Sequence, residues 1–357
     1  MANFTGLRAN AIFGGLYNMI ISQHVYGDNI KGTYSRLVDM ARVDGSMYGD
    51  QKLYYATDVL KSHAWGNDAE ASNLLALDRP AEPEVQAIVL DKFRQIRLTV
   101  DNYLTKQAWM NEGAFTSFNS IMLGWMRDTK RVFDSLTYNT FIGTNETEIG
   151  EQSMTITPIA GQNDALTMAE ALATLLVNLQ DVSRDYNDYG YLRSYDEGDF
   201  IVVWNAKHYN SLKKIDMPVI FHKEGLLNEF TQEVLPARYF GTVVGSVHSN
   251  NFTVTSDGEY RALVERDLTV NDDTIHVFPG DLLPTGAMIP EDEVYKVDDT
   301  IAFKCYHKGA VPYMSAFEVG TSFYNARSLT ENHYLTWGYN TLEHLMNYPF
   351  ITARFAE

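Results

Sequence analysis

The sequence predicts an α+β protein, and three observations lead there. Ile96-Arg97-Leu98-Thr99-Val100 alternates apolar and polar residues, the two-residue period of a strand with one face covered. From Gly113 the period changes: Phe115, Phe118, Met122, Trp125, Val132 and Leu136 recur three or four apart. Arg127, Asp128, Lys130, Arg131 and Asp134 fall mostly off that line, so the stretch reads as a long amphipathic helix. Farther on, Phe200-Ile201-Val202-Val203-Trp204 is an unbroken apolar run of strand length, the pattern of a strand buried on both faces.

The N-terminal residues contain two helical candidates, Leu16 to Val25 and Tyr34 to Val43, separated by Gly27-Asp28-Asn29 and Gly32. Each is too short to stand alone, since isolated helices below about 12 to 15 residues are marginal in water, so both read as an arm that needs a partner surface. Leu53 to Thr57 is a short strand candidate, followed by a polar stretch carrying Trp65 and then by Arg79-Pro80-Ala81-Glu82-Pro83, whose prolines stiffen a loop. With the strand from Glu84 to Val100 this makes a two-stranded excursion. A lone ribbon of that kind is unstable, and a neighbouring subunit is the expected support. The helix from Gly113 to Phe141 would be about 43 Å long, more spine than core element.

Asn145 to Thr157 is polar and β-prone. Thr167-Met168-Ala169-Glu170 reads as a capping box opening a helix, with Leu172, Leu175, Leu176, Leu179 and Val182 on one face. Asn205 is placed to cap a helix from Ala206 to Lys214. Arg238 to Asp299 is rich in turns and acidic residues, including Asp272-Asp273, Asp281, Glu291-Asp292-Glu293 and Asp298-Asp299, and reads as an exposed β insertion. Apolar density returns in Ile301-Ala302-Phe303 and Val311 to Val319, and Asn332 to Tyr339 and Pro349 to Phe355 read as strands. No internal repeat, heptad array or low-complexity tract is present in the sequence.

Composition bounds the function. A chain of 357 residues has length for about two domains, and 45% apolar with 21% charged residues is ample for a folded core. The formal charge of −18 argues against a surface built to grip nucleic acid, which needs clustered Lys and Arg. The 22 tyrosines offer large contact area with a polar tip, suited to interfaces as well as to an aromatic core. One cysteine, Cys305, rules out an internal disulfide and a cysteine-based zinc site, and it reads as a core residue. With no basic, apolar leader and no run of about 18 apolar residues, the expectation is a soluble protein made in the cytoplasm and not inserted in a membrane.

Motifs that carry chemistry are missing. None of the nine histidines sits in H-E-x-x-H or another tight ligand spacing. Gly27 to Thr33 lacks the order of a phosphate loop and reads as a turn, and Asp196-Glu197-Gly198-Asp199 lacks the spacing of a calcium loop and reads as a solvated turn. Gly245-Ser246-Val247-His248-Ser249 has no strand-turn-helix context for a nucleophile. The sequons at Asn3, Asn145 and Asn251 carry no meaning without a secretory signal. No catalytic, cofactor-binding or metal-binding residue is assigned, and no cofactor is expected.

The order of elements is the remaining signal. A helical arm, a long two-stranded loop returning into a spine helix, an α+β subdomain, a β insertion and a terminal strand region together resemble the major capsid protein of tailed bacteriophages with the Hong Kong 97 capsid fold, nearest in character to small short-tailed phages. The local matches are Phe93 to Thr99 leading into Phe115 to Gly143, Asp199 to Asn205 with its following helix, and Val311-Pro312-Tyr313 through Asn332-His333-Tyr334 to Tyr339, with Phe350-Ile351 closing the chain. The resemblance implies an N-terminal arm at 1–44, an extended loop at 45–100, a peripheral domain at 101–157 and 301–357 with the spine at about 113–141, and an axial domain at 158–300 with the β-rich insertion at about 241–299. It also implies a non-enzymatic shell of hexamers and pentamers in the virion, assembled in the host bacterial cytoplasm. A scaffolding protein and a portal are the expected partners, and packaged double-stranded DNA would lie in loose, non-specific proximity. No Lys or Asn is marked for a cross-link. Two other readings remain open: an encapsulin-like nanocompartment shell, and a hydrolase or binding protein whose site leaves no motif.

Overall fold

The computed structural model describes residues 36–43, 51–62, 77, 79–101, 112–146, 153–158, 164–212, 230–256, 258–270, 273–343, 345 and 347–356. The helix expected at Leu16 to Val25, the turn at Gly27 to Thr33 and Trp65 lie outside the described residues, as do the side chains of Phe115, Phe118 and Met122.

The centre is a mixed five-stranded sheet in the order β3-β16-β13-β4-β5, with β3 at Ser153–Ile156, β4 at Phe200–Asn205, β5 at Thr231–Leu235, β13 at Ile301–His307 and β16 at Phe350–Phe355. All six residues of β4 are buried, because alternate side chains enter different cores. Phe200, Val202 and Trp204 join the core under α3 (Asp164–Gln180), with Met168, Leu172, Leu175, Leu176 and Leu179. Ile201 and Val203 join the opposite core, with Tyr138 and Ile142 of α2 (Glu112–Thr144) and Leu37 and Val38 of α1 (Leu37–Ala41). Of the candidate Tyr34 to Val43, only this five-residue helix forms among the described residues.

The capping box expected at Thr167 does not operate. The helix begins at Asp164, so Thr167 lies inside it, buried, with no partner for its hydroxyl. The acidic residue in the first turn is Asp164 itself, where a negative charge suits the helix dipole. Asn205 does cap α4 (Ala206–Leu212): its side-chain oxygen accepts from the Lys207 N–H at 3.0 Å.

A second, antiparallel sheet runs β1-β2-β15-β14, from Gln51–Ala56, Glu84–Asp101, Thr330–Asn340 and Ser315–Asn325. The two-stranded excursion, expected to rest on a neighbouring subunit, is divided within this chain. Residues 84–89 of β2 pair with β1, whereas 90–101 pair with β15 and belong to the subunit's own sheet. The strand is long because two ladders succeed one another along it, and the register shifts between Tyr339 and Asn340 where one gives way to the other.

The segment from β6 to β12 (Gly241–Val243, Asn251–Thr253, Tyr260–Ala262, Arg266–Val270, Asp273–Val277, Met288–Pro290 and Val294–Val297) forms small sheets around a core of its own, with Val254, Ala262, Leu268, Leu283 and Ile289. It is β-rich as expected but not merely an exposed loop. Apolar residues scattered among acidic ones still converge when tight turns bring them together. Gly258, Gly280 and Gly286 stand at positive φ in those turns.

Candidate functional site

The candidate site is a surface. Cross-strand pairs on one face of the β1–β2 ribbon are Leu53 with Ala87, Tyr55 with Val85 and Gln51 with Val89. Their side chains point outward: Tyr55 is 64% exposed, Leu53 49% and Val85 47%. The opposite face is covered, with Ile88 and Leu90 packed on Met314, Val43 and Tyr54. A ribbon whose wet face is as apolar as its dry one carries the signature of an interaction surface. Beside β2, where β15 has ended, a cavity of about 350 Å³ is lined by Gln86, Ile88, Asp91, Pro312, Asn340 and Glu343, among others. Asp91, at the register shift, accepts from the backbone N–H and the hydroxyl of Thr341 and so pins the point where the two strands part.

The spine is joined to the root of this sheet by a buried polar cluster. Lys130 and Asp134, four apart on α2, form an ion pair at 3.0 Å with both side chains under 10% exposed. Asp134 also accepts from the Tyr313 hydroxyl at 2.7 Å and the Ser315 hydroxyl at 3.3 Å, and Lys130 donates to Ser315 at 3.0 Å. Burial, with the Asp134 charge next in weight, pushes the Tyr313 phenol well above its usual range. Phe133 stands edge-on to both Trp337 and Tyr339 at 5.6 Å between ring centres, and the Arg94 guanidinium lies over its ring, 5.0 Å from the centre.

The helix face read from the sequence needs correction here. Met126, Lys130, Phe133, Asp134, Tyr138 and Ile142 form the buried stripe, while Trp125, Val132 and Leu136 are half-buried beside it. In the sequence, charge alone reads as a mark of solvent. Opposite charges one helical turn apart neutralise each other and enter the interior together, and that i to i+4 spacing was the signal in the sequence.

Two further polar nodes tie the parts together. Arg94 of β2 reaches the insertion, donating to the Glu265 carbonyl at 3.0 Å and pairing with its carboxylate at 3.5 Å. His276 is bonded to Asp267 at 2.7 Å and Glu265 at 3.1 Å, and these carboxylates hold its pKa above the usual value. Lys304, fully buried in β13, donates to the Asn145 carbonyl at 2.7 Å just past the C-terminus of the spine. Burial lowers its pKa to about 7 against the opposing charges of Glu146 and Asp298. Arg354 pairs with the same two carboxylates, closing the node between α2, β13 and β16.

The geometry offers little to chemistry. Among the described residues no three His, Cys, Asp or Glu side chains converge to hold a metal. Cys305 is buried, as expected, and burial pushes its thiol up to about 12, the wrong direction for a nucleophile. His307, partly buried, is stacked on Tyr348 at 4.3 Å, and burial pushes its pKa down to about 4. Asp196 to Asp199 form a short 3-10 turn ahead of β4. Among the described residues no helix is long and apolar enough to cross a membrane.

A sheet with an apolar outward face, set on a long spine helix, presents a surface suited to contact with another macromolecule. Comparison with solved structures places the fold. The chain is similar to the capsid of Staphylococcus phage Andhra, with a TM-score of 0.59 at 11% identity over 89% of this chain and 83% of that one. It is similar also to a chain from the head fiber and inner core protein structure of native bacteriophage P68, with a TM-score of 0.52 at 12% identity over 89% and 84%. No curated protein matches. Residues 5–349 match the Phi29-like phage major capsid protein family. The chain belongs to that family: it is a shell-forming major capsid protein of a bacteriophage, built on the Hong Kong 97-type α+β fold.

Proposed function

We propose that this subunit assembles into hexamers and pentamers of an icosahedral shell enclosing packaged double-stranded DNA. The observation that carries the reading is the outward apolar face of the β1–β2 ribbon, which a subunit in isolation leaves in water and a neighbouring copy would cover. In this reading the arm, extended loop, peripheral domain and axial domain keep the boundaries read from the sequence, with residues 90–101 of β2 shared between the extended loop and the peripheral sheet. Assembly takes place in the host cytoplasm with a separately encoded scaffolding protein and a portal. The protein has no catalytic or cofactor-binding residue and acts only as a structural subunit. A charge of −18 keeps the packaged polyanion at arm's length, an effect that screening confines to about 8 to 10 Å. The same charge opposes self-association, so apolar contacts must outweigh it.

The test is expression with and without the scaffolding protein of the same phage, followed by electron microscopy and light scattering. Closed shells with DNA inside after infection are expected. Small discrete oligomers under every condition would count against the proposal, and shells filled with an enzyme cargo instead of DNA would point to a nanocompartment.

A further inference from the structure

We propose that the outer edge of β14, residues 318–325, is a strand-pairing surface for a second copy of this chain, an inference that rests on the shell-forming reading. β14 is the last strand of its sheet. Val319 to Asn325 pair regularly with Thr336 to Thr330 of β15, and among the described residues no strand lies on the other side. In an antiparallel strand alternate residues turn both backbone groups to one edge, so about half of those in this run face outward without a ladder partner. Every residue from Glu318 to Tyr324 is exposed, so the strand is uncovered on both faces as well as along its edge. Consecutive aromatic residues, Phe323 at 64% and Tyr324 at 50% exposure, stand on opposite faces of it.

Sheet edges are ordinarily protected by lysines, prolines, bulges or a covering element. Ser315–Asn325 has no lysine and no proline, and Glu318 is its one charge. The register irregularity falls between Ala316 and Val319, at the root, and leaves the outer run regular. An open backbone edge accepts another extended backbone. The charge pattern favours a second copy as its source: copies at −18 repel one another, and they approach most easily along a strand that is nearly uncharged. The chain also supplies a mate, since among the described residues 84–89 of β2 are laddered to β1 alone and β1 has no further neighbour in the sheet.

The experiment compares the full-length chain with Val319→Lys/Phe323→Lys/Tyr324→Lys, and uses Ser322→Cys as a reporter of access. The native thiol, Cys305, is fully buried and stays silent towards maleimide. Expected are an unchanged circular dichroism spectrum and melting temperature for the triple variant, loss of shell yield by about tenfold or more, and protection of the thiol at 322 in shells but not in free subunits. Wild-type protein that never forms shells would overturn the shell reading and this inference with it. Shells from wild type and triple variant in equal yield, with the thiol at 322 labelled alike in shells and subunits, would overturn the inference alone. Protection that appears only on adding a second protein would overturn the choice of occupant. The labelling result stands even if the triple variant fails to fold.

Discussion

Asp134 receives hydrogen bonds from Lys130, Tyr313 and Ser315, and each comes to it from a different constraint: the helix turn, the loop before β14 and β14 itself. Asp134→Ala leaves a buried ammonium without its counter-charge and is expected to cost about 3 to 5 kcal/mol in urea unfolding. Replacing Lys130→Met together with Asp134→Leu is expected to recover part of that loss, because no unpaired charge remains. Lys304 makes a prediction in pH. Its folded-state pKa of about 7 lies below the ordinary 10.5, so between those values the unfolded chain holds a proton that the folded chain has released. Stability from this group therefore rises with pH across that window, by up to about 1.4 kcal/mol per unit, and is flat below it where both states are protonated. Denaturant titrations of wild type and Lys304→Met, subtracted at each pH, are expected to show that slope in the difference between the two proteins. Cys305 could be placed in the core from its apolar neighbours. Lys304 could not, because a lysine reads as surface until a carbonyl and two carboxylates are seen around it.

At the scale of elements, the spine helix separates what periodicity can and cannot tell. Its existence and extent, Glu112–Thr144 against an expected Gly113 to Phe141, follow from a 3.6-residue repeat sustained over many turns. Its buried face does not follow, since hydrophobicity points to Trp125 while the packing chooses Phe133. Phe133→Ala is accordingly expected to cost about 3 to 5 kcal/mol, and Trp125→Ala, whose side chain is only partly buried, less than that, measured side by side by chemical denaturation. The end of the helix is shaped by a neighbour: a Cβ on Gly143 would stand 2.1 Å from the Tyr239 carbonyl oxygen, where the 3-10 turn before β6 crosses it. Because the obstacle is backbone, Gly143→Ala is expected to cost about 3 kcal/mol or more in thermal or urea unfolding, at the upper end of overpacking effects. Phe200 to Trp204 of β4 are legible on both faces because a run with no polar residue leaves no solvent side to choose.

At the scale of the molecule, stability and assembly draw on different residues. The cores under β4 hold the subunit together, while the outward face of the β1–β2 ribbon contributes nothing to them. Leu53→Glu with Val85→Glu is therefore expected to leave the melting temperature of the free subunit within a degree or two of wild type, yet to prevent closed shells in sedimentation and electron microscopy. A variant that unfolds instead would mean that the ribbon's outer face is structural within one subunit.

The sequence by itself determined the types of most described elements, the order of ribbon, spine and β insertion, the doubly buried strand and the poverty of catalytic motifs, because each is written in local period or composition. The tertiary structure alone decided which residues those elements bring together. It divided β2 between β1 and β15, turned a charged pair inward on the spine, gave the acidic insertion a core, and put a lysine at the end of the longest helix. Strand pairing and burial depend on partners distant in the chain, such as Lys130 with Ser315 or Arg94 with Glu265, and the free energy of a buried charge is set by those partners and not by the residue that carries it.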